Sequence, residues 1–434
     1  MRPCPCTTQG CGWIRHDGKD MRKTRLIRPD YADRFRCIGP ACEDSCCQNW
    51  SVAIDKDSYQ KYQSLPDGPL RASILAAMEP TSDAEAGSGS AKFASIKMPI
   101  SGICPFLNED HLCRIHAELG SNYLPNTCRL YPRVSRTIDG FEEQTLSFSC
   151  PEAARLILLA ETLFPPGTGP ALEAVWDDSA SCSAPIHSYF WVLRDFTIRL
   201  AVNRKYSLWK RLFLLGTLCR RLDAILRDEP KRTVPDFLRD YSAAVDSGAL
   251  NGPMESIRPD PAAQLEMILR LVGLRAGSLK LSPRLTACVR AVVDGIGWRA
   301  GVPIPSHVVR YESSYRDFYA PFFDRHPHIL ENYLLNQMFR QMFPFGIKPF
   351  EPSTIPEFAQ TFTELATQFA LTKGLLIGVA GFYRERFSVD HVVQVVQSIS
   401  RHFEHCPQFL VDAAALLHER KMDTAQGLTM LLRN

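Results

Sequence analysis

The sequence predicts a mainly α protein, in which a cysteine-rich metal- or cluster-binding N-terminal module packs on a helical C-terminal domain. Three observations support this fold class. Apolar residues recur at spacings of three and four over most of the last two-thirds of the chain, whereas alternating strand patterns are scarce. Eight of the 15 cysteines lie between Cys37 and Cys150, which indicates a local site in one part of the chain. A length of 434 residues favours two domains or three, at roughly 100–200 residues each.

The first twenty residues are predicted to form a disordered extension. They contain charges, glycine and three cysteines (Cys4, Cys6 and Cys11, to which we assign no role), but they lack the apolar core of ~7–15 residues that marks a secretory signal. Without an export signal we expect a cytoplasmic protein. In that reducing compartment, thiols more often bind metal or perform redox chemistry than form disulfides.

Residues 21–163 form the predicted cysteine-rich domain, which an exposed loop rich in Gly, Ser and acidic residues interrupts at 79–91. Residues 164–186 form a predicted linker, because four prolines and two glycines fall within them. Residues 187–434 form the predicted helical domain.

Helical spacing predicts several helices in that domain. Ser388 is placed to cap one of them, and Asp423 with Gln426 is placed to open the last. Four cysteines outside the cluster are predicted to be ordinary core residues. The apolar stripes are Tyr189, Leu193, Phe196 and Leu200; Leu212, Leu215, Cys219 and Leu222; Leu330, Leu334, Met338 and Met342; and Val389, Val392, Val396, Ile399 and Phe403. The four core cysteines are Cys182, Cys219, Cys288 and Cys406.

The composition excludes some classes of partner. Hydrophobic residues make up 45% of the chain and charged residues 22%, which fits a folded protein. The net charge of +3 is too even to predict binding to nucleic acid or to an anionic membrane. No run of apolar residues approaches the ~18 of a membrane span. We therefore expect no nucleic-acid partner and no membrane span, while the oligomeric state is not predicted.

The clustered cysteines are the predicted metal ligands. Soft thiolates suit either zinc or an iron–sulfur cluster. The C-x2-C pairs typical of structural zinc do not occur. If the backbone is extended at the adjacent Cys46 and Cys47, their side chains point to opposite sides. The two cysteines then either bind metal at two different sites, or one of them binds no metal. The predicted ligands are Cys37, Cys42, Cys46, Cys47, Cys104, Cys113, Cys128 and Cys150.

Four segments carry a family resemblance. Residues 31–50 read YADRFRCIGPACEDSCCQNW, residues 104–133 read CPFLNEDHLCRIHAELGSNYLPNTCRLYPR, and residues 147–158 read SFSCPEAARLIL. These blocks closely resemble the flagellin lysine-N-methylase (FliB) family and, more loosely, cysteine-rich zinc- or iron-chelating domains. Residues 326–346 are similar to a block in the C-terminal part of the same methylases.

The resemblance implies an enzyme that methylates surface lysines of flagellin, with S-adenosylmethionine as the methyl donor and a [4Fe-4S] cluster held by the cysteines. The chain has no G-x-G-x-x-G motif after a strand. It also lacks the C-x3-C-x2-C triplet of radical adenosylmethionine enzymes, since Asn49 stands at the third position. The alternative is a non-catalytic zinc- or iron-binding module for interaction or redox chemistry.

Methyl transfer to a lysine needs a deprotonated amine and a cofactor pocket, and polar residues in two regions are candidates. Glu43, Asp44 and Tyr333 are the catalytic candidates. Glu331, Asn332 and Tyr333, in an otherwise apolar helix, either bind S-adenosylmethionine or substrate, or only cap and pack. Further candidates close to the cysteines are Glu109, Asp110, His111, His116, Arg129 and Arg133.

Overall fold

A computed structural model describes residues 25–48, 52–80, 93–138, 141–163, 186–228, 233–276, 282–347, 356–404 and 406–434. The predicted extension 1–20, almost all of the predicted linker 164–186 and most of the predicted loop 79–91 lie outside these residues, as does Cys182. About 66% of the described residues are helical and few of them lie in strands, which confirms the mainly α prediction.

The N-terminal third contains short strands that the sequence pattern did not reveal. They form two three-stranded sheets, ordered β1-β6-β5 and β2-β4-β3. Strand β1 runs parallel to β6, and the other pairs are antiparallel. The elements are β1 (Arg25–Ile27), α1 (Asp30–Arg34), β2 (Ala53–Ile54), α2 (Lys56–Gln63), α3 (Pro69–Ala76), β3 (Met78–Pro80), β4 (Ala94–Ile96), α4 (Arg114–Leu119), α5 (Asn126–Leu130), β5 (Arg133–Ile138), β6 (Phe141–Leu146) and α6 (Pro151–Leu158).

The rest of the described chain is helical, and the predicted apolar stripes are buried within it, except for Val389, which is half-buried. Cys219 is fully buried and Cys288 is buried, as core cysteines should be, while Cys406 is half-buried. The helices are α7 (Phe190–Ala201), α8 (Leu208–Asp228), α9 (Val234–Asp246), α10 (Asn251–Ser256), α11 (Pro261–Ala276), α12 (Pro283–Ile296), α13 (Pro305–Ser314), α14 (Ala320–Arg325), α15 (His328–Arg340), α16 (Phe358–Tyr383), α17 (Val389–Ile399), α18 (Pro407–Glu419) and α19 (Ala425–Leu432).

One of the two predicted helix caps is confirmed. Ser388 caps α17, with His391 completing a capping box. The prediction that Asp423 opens α19 was wrong, because its carboxylate pairs with Nδ1 of His418 at 2.8 Å. Thr424 is the cap instead, and its hydroxyl accepts from the backbone N–H of Gly427 at 3.0 Å.

The buried apolar residues form two hydrophobic cores, a small one and a large one. The small core is built from residues between Val52 and Ile115. The large core combines the C-terminal helices with α1, β6 and α6. Helix α6 belongs there because its apolar face, which includes Ile157 and Leu158, packs against α15 and α17. Both ends of the predicted cysteine-rich domain therefore fold onto the helical part.

A buried ion pair reinforces this junction. Arg194 of α7 is fully buried and donates to Glu143 of β6, with 2.7 Å between Nη2 and Oε2. Its Nη1 also donates to the carbonyls of Met338 and Phe343, each at 2.8 Å. Removing one partner of such a pair leaves an uncompensated buried charge, so the pair holds β6 and the end of α15 in one arrangement.

Helix α16 forms the centre of the large core, and it contacts α8, α11, α12, α13, α17 and α19. Within the described residues, the segment Phe358–Arg386 alone is long and apolar enough to cross a membrane by length and composition. The protein itself buries 94% of that segment's most apolar window. Core helices of helical proteins have the same properties, so the feature is weak evidence about membrane spans.

Candidate functional site: a cysteine-lined cavity

All eight predicted ligand cysteines line one cavity of about 350 Å³. They come from distant parts of the N-terminal third, and none of them forms a disulfide. Cys37 and Cys42 flank a short 3-10 helix, Gly39–Ala41. Cys113 and Cys150 are the N-cap residues of α4 and α6. Sequence analysis therefore identified a set of side chains that the fold does bring together.

Burial keeps most of these thiols protonated when nothing is bound. It raises the pKa of Cys104 to about 11 and that of Cys150 to about 12. Burial also raises the pKa of Cys113, although the backbone N–H groups at the start of α4 partly oppose it. Thiolates are the species that bind metal, so metal binding here would release protons.

The adjacent pair Cys46 and Cys47 does not adopt the extended backbone that we expected. Both residues lie in a bend, and their two thiols form a hydrogen bond with each other. This hydrogen bond lowers the pKa of Cys47 to about 7, and the nearby Arg401 contributes to the same effect.

The two acidic catalytic candidates near the cysteines occupy different positions. Asp44 lines the cavity. Its carboxylate pairs with Arg401 at 2.9 Å and accepts from Nε2 of Gln397 at 2.8 Å. Glu43 is not part of the cavity lining and forms an ion pair with Arg155. Burial tends to raise the pKa of Glu43, but a backbone hydrogen bond and Arg155 outweigh it and lower the pKa.

Four of the six further candidates also line the cavity: His111, His116, Arg129 and Arg133. Glu109 and Asp110 are exposed and lie outside it.

Among the lining residues that sequence analysis missed, three have side chains that could act in acid–base or ionic chemistry: Arg36, Tyr131 and Glu152. Tyr131 is mostly buried, and 3.1 Å separates its hydroxyl from Oγ of Ser149. Each of the three lies within three positions of a lining cysteine, so closeness along the chain was a usable signal.

The polar trio of α15 lies elsewhere and makes structural contacts. Glu331 pairs with Arg204 at 2.8 Å and with Arg211 at 2.6 Å. Burial tends to raise the pKa of Glu331, but hydrogen bonds from the two arginines lower it. Asn332 and Tyr333 are buried beside it.

Asn332 donates to the carbonyls of Ile157, at the end of α6, and of Ala160, just beyond that helix, with 3.1 and 2.7 Å from Nδ2. Tyr333 stacks on Phe148, with 5.3 Å between ring centroids, and its hydroxyl accepts from Thr372 at 3.0 Å. The trio is not part of the cavity lining. Its role in binding S-adenosylmethionine, and a catalytic role for Tyr333, stay predictions.

The donor set of the cavity fits an iron–sulfur group in its chemistry. Soft thiolates are the ligands that such clusters take, four to each [4Fe-4S] cluster. Within the described part of the chain, no group of three or more His, Cys, Asp or Glu side chains is arranged to hold a metal ion directly. The thiols thus share one cavity without converging on one point.

Comparisons with known proteins agree with the resemblance noted above. A family model described as the FliB lysine N-methylase C-terminal domain matches residues 194–431. A lysine-N-methylase of Salmonella typhimurium is 33% identical over 143 residues, which are 32% of this chain and 33% of that protein. The flagellar biosynthetic protein FliU of Salmonella muenchen is 32% identical over 143 residues, which are 32% of this chain and 79% of that protein.

A second lysine-N-methylase, from Salmonella choleraesuis, is 32% identical over 143 residues, or 32% of this chain and 33% of its own length. The match to this chain therefore spans about a third of the curated lysine-N-methylases. No solved structure matches. Because the family model covers more than half of the 434 residues, the chain belongs to the FliB lysine N-methylase family.

Proposed function

We propose that this protein is a cytoplasmic methyltransferase that transfers methyl groups from S-adenosylmethionine to the ε-amino groups of flagellin lysines. Membership of the FliB family and the two relatives named lysine-N-methylase support protein lysine methylation in general. The name of FliU adds a flagellar context, which supports flagellin as the substrate.

One observation of the structure supports the proposal most strongly: the thiols of eight cysteines line one cavity together with arginines and carboxylates. We propose that these cysteines hold a [4Fe-4S] cluster. Such a group supplies a redox-active or Lewis-acidic centre when bound. The remaining steps can be assigned to side chains of the protein.

Removal of the proton from the target lysine is the first requirement. A lysine ammonium has a reference pKa of about 10.4 and no lone pair to accept a methyl group. The cavity wall contains Val52, Ile96, Phe106, Ile115 and Leu124. An apolar environment disfavours the charged form of an amine, so entry into this cavity would lower the pKa of the lysine.

Asp44 is the best-placed proton acceptor among the predicted candidates. It lies at the cavity wall, where Arg401 and Gln397 fix its carboxylate. Glu152 also lines the cavity, and it pairs with Arg155 at 2.5 Å. Each of these two carboxylates thus has an arginine partner that holds it in place at the cavity wall.

Three arginines of the lining suit the carboxylate of S-adenosylmethionine. The guanidinium of Arg36 donates to the carbonyls of Asp33 and Phe35, each at 2.8 Å. That of Arg133 lies over the ring of Phe35, at 5.1 Å from its centroid. Arg129 donates to Asn126. A guanidinium has five N–H donors, so each arginine keeps donors for a ligand.

The test is to incubate anaerobically prepared, iron-loaded protein with flagellin and S-adenosylmethionine, and to locate methyl-lysine by mass spectrometry. We expect methyl-lysine on flagellin and none without the protein. Arg133→Gln should weaken S-adenosylmethionine binding by about ten- to a hundredfold, since a hydrogen bond to a charged group contributes about 1.5–3 kcal/mol.

The control is Arg239→Gln, which removes an exposed arginine of α9 and should leave binding unchanged. Failure of iron-loaded wild-type protein to methylate a matched flagellin would contradict the proposal. If the protein instead bound zinc and transferred no methyl group, a non-catalytic metal-binding module would replace it.

A further inference from the structure

Strand β5 lies at the edge of its sheet. In the order β1-β6-β5 its strand neighbour is β6, with which all six residues of β5 pair in a regular antiparallel register. The opposite edge belongs to β1, which has only three residues. An edge strand presents a row of backbone N–H and C=O groups that another extended chain can bind. Proteins often protect such an edge with a bulge or a proline, and β5 contains neither.

The register shows which backbone groups of β5 face outwards. The N–H of Ser147 donates to the carbonyl of Pro132 at 2.8 Å, directly before the first pair of the ladder. In an antiparallel ladder, pairs that exchange hydrogen bonds alternate with pairs that do not. Arg133, Ser135 and Thr137 therefore belong to the pairs that exchange none with β6. Their three N–H groups and three carbonyls point away from β6, towards the edge of the sheet.

Within the described part of the chain, no backbone group binds this outer side of β5. The backbone hydrogen bonds beyond helices and ladders include none to Arg133, Ser135 or Thr137. The side chain of Arg133 donates to the carbonyl of Phe35, and that of Ser135 accepts from Gln144 at 2.9 Å, so neither uses the outward backbone groups. Ser135 and Thr137 are small and exposed, which leaves room for an approaching chain.

The same strand begins at the cysteine-lined cavity. Arg133, its first residue, lines the cavity, as do Tyr131 and Pro132 just before it. A chain that paired with β5 would therefore run along the edge of the sheet and reach the cavity wall at one end. This continuity identifies the kind of partner that the edge fits: an extended segment of the protein substrate, with its target lysine at the cavity.

We propose that β5 binds an extended segment of the substrate protein as an additional strand and thereby directs the target lysine into the cavity. This inference rests on the proposed function, in which the cavity is the place of methyl transfer. It goes further in naming the surface that recognises the substrate and the backbone conformation that the substrate adopts there.

The pairing also determines where the lysine lies. Residues directly opposite each other on neighbouring strands have their side chains on the same face of the sheet. A lysine opposite Arg133 thus projects to the side on which that arginine lies. The guanidinium disfavours the ammonium form of the lysine, which is the form that cannot accept a methyl group. In antiparallel pairing, the commoner arrangement, the residues two and four positions before the lysine lie opposite Ser135 and Thr137.

Peptides test this pairing directly. Fluorescently labelled peptides that each contain one lysine of flagellin are titrated with anaerobically prepared, iron-loaded full-length protein, and binding is measured by anisotropy. In a peptide that binds, a methyl group on a backbone nitrogen removes one N–H donor. At the residues two and four positions before the lysine, it should weaken binding about fivefold or more, because each N–H there donates to β5. At the residues one and three positions before the lysine, it should have little effect.

Proline substitutions test the same pairing from the side of the protein. Ser135→Pro removes an N–H that faces outwards, a position at which edge strands tolerate proline. It should weaken peptide binding about fivefold or more and raise the KM for flagellin by a similar factor, while the KM for S-adenosylmethionine stays unchanged. Thr137→Pro should act in the same way.

Ser135→Ala is the matched control. Like Ser135→Pro it loses the hydrogen bond from Gln144, but it keeps the backbone N–H, so it should bind the peptide as the wild type does. Circular dichroism of each variant shows whether the fold is retained.

Failure of every lysine peptide to bind, or equal effects of backbone methyl groups at all four positions, would overturn the proposal. An unchanged KM for flagellin in both folded proline variants would also overturn it, while leaving the proposed function intact. Alternating losses in a peptide that the protein binds, together with no methylation of flagellin, would refute the proposed function and support β5 as a docking edge.

Discussion

Asp44 and Arg401 form an ion pair with 2.9 Å between Oδ1 and Nη1, although 357 positions of sequence separate them. Both side chains are about nine-tenths buried. Arg401 also donates to the carbonyl of Gln48 at 2.9 Å. The arginine that follows α17 therefore holds both ends of the loop that carries Cys46 and Cys47, so the helical part of the chain shapes the cysteine cavity directly.

Replacing Arg401 with glutamine should lower the free energy of unfolding by about 3 kcal/mol, because it leaves the buried carboxylate of Asp44 without its partner. Urea denaturation measures this change. Arg316→Gln, which breaks an exposed pair with Asp317, is the control and should produce no measurable change. In the double variant that also carries Asp44→Asn, the loss of stability should be smaller than the sum of the losses in the two single variants. Strict additivity would show that the two side chains do not interact.

Asn332→Leu should destabilise the protein by about 1–3 kcal/mol, because it removes the donor to the carbonyls of Ile157 and Ala160, at the end of α6 and just beyond it. We expect binding of S-adenosylmethionine, measured by calorimetry, to stay unchanged, since the side chain is outside the cavity lining. Asn332→Asp keeps the shape and replaces the donor with an acceptor, so it should destabilise at least as much. A selective loss of S-adenosylmethionine binding in a stable variant would instead assign the α15 trio to the cofactor.

Lys373 should make stability depend on pH. Burial in α16 lowers its pKa to about 7, while in the unfolded chain the pKa is about 10.4. Between these values the unfolded state binds the extra proton, so the stability of the folded protein rises with pH across this window. Below pH 7 both states are protonated and the full cost of burying the charge remains.

Comparison with Lys373→Met isolates this effect. The variant should gain stability relative to the wild type at pH 7, and the gain should shrink by a few kcal/mol on going to pH 10. Lys205→Met, at an exposed position, should show no such trend. A pH-independent difference between Lys373→Met and the wild type would mean that the amine is charged in the folded protein, held by the carbonyl of Leu432 at 2.6 Å.

Gly295 allows close approach of α12 and α16. A methyl group at this position would overlap the carbonyl oxygen of Gly378, and backbone cannot move aside cheaply. Gly295→Ala should therefore lower the free energy of unfolding by about 1–3 kcal/mol, as overpacking does in cores. Gly273→Ala, in α11, meets no neighbouring atom and should stabilise by up to about 1 kcal/mol. Equal effects in both variants would contradict the close packing of α12 on α16.

Local patterns in the sequence were sufficient to predict several features of the fold and of the candidate site. The stripe Leu330, Leu334 and Met338 is buried as its spacing predicts, because the period of a helix determines which side chains share a face. The eight cysteines could be identified as one set because thiols are uncommon and were concentrated in one segment. Their common position around one cavity could not be predicted, since it depends on how distant segments fold together.

Long-range partners explain what sequence analysis missed. Tyr31 donates to Asn336 and lies 2.7 Å from Oγ1 of Thr145, an arrangement that spans 305 positions and places α1 in the large core. No local pattern predicts such a contact. Asn332 was recognised as unusual in an apolar helix, but its acceptors, at the end of α6, are visible only in the fold. A polar residue in a buried stripe indicates a partner without naming it.

If the cysteine cavity holds the proposed cluster, its iron is bound through sulfur and lysine methylation depends on that iron. X-ray absorption at the iron edge of the anaerobically prepared full-length protein tests this most directly. We predict an iron shell made of sulfur with a neighbouring iron, which is lost together with flagellin methylation when Cys104 and Cys42 are both replaced with serine. Iron surrounded by oxygen or nitrogen, or full methylation by the iron-free double variant, would contradict the account.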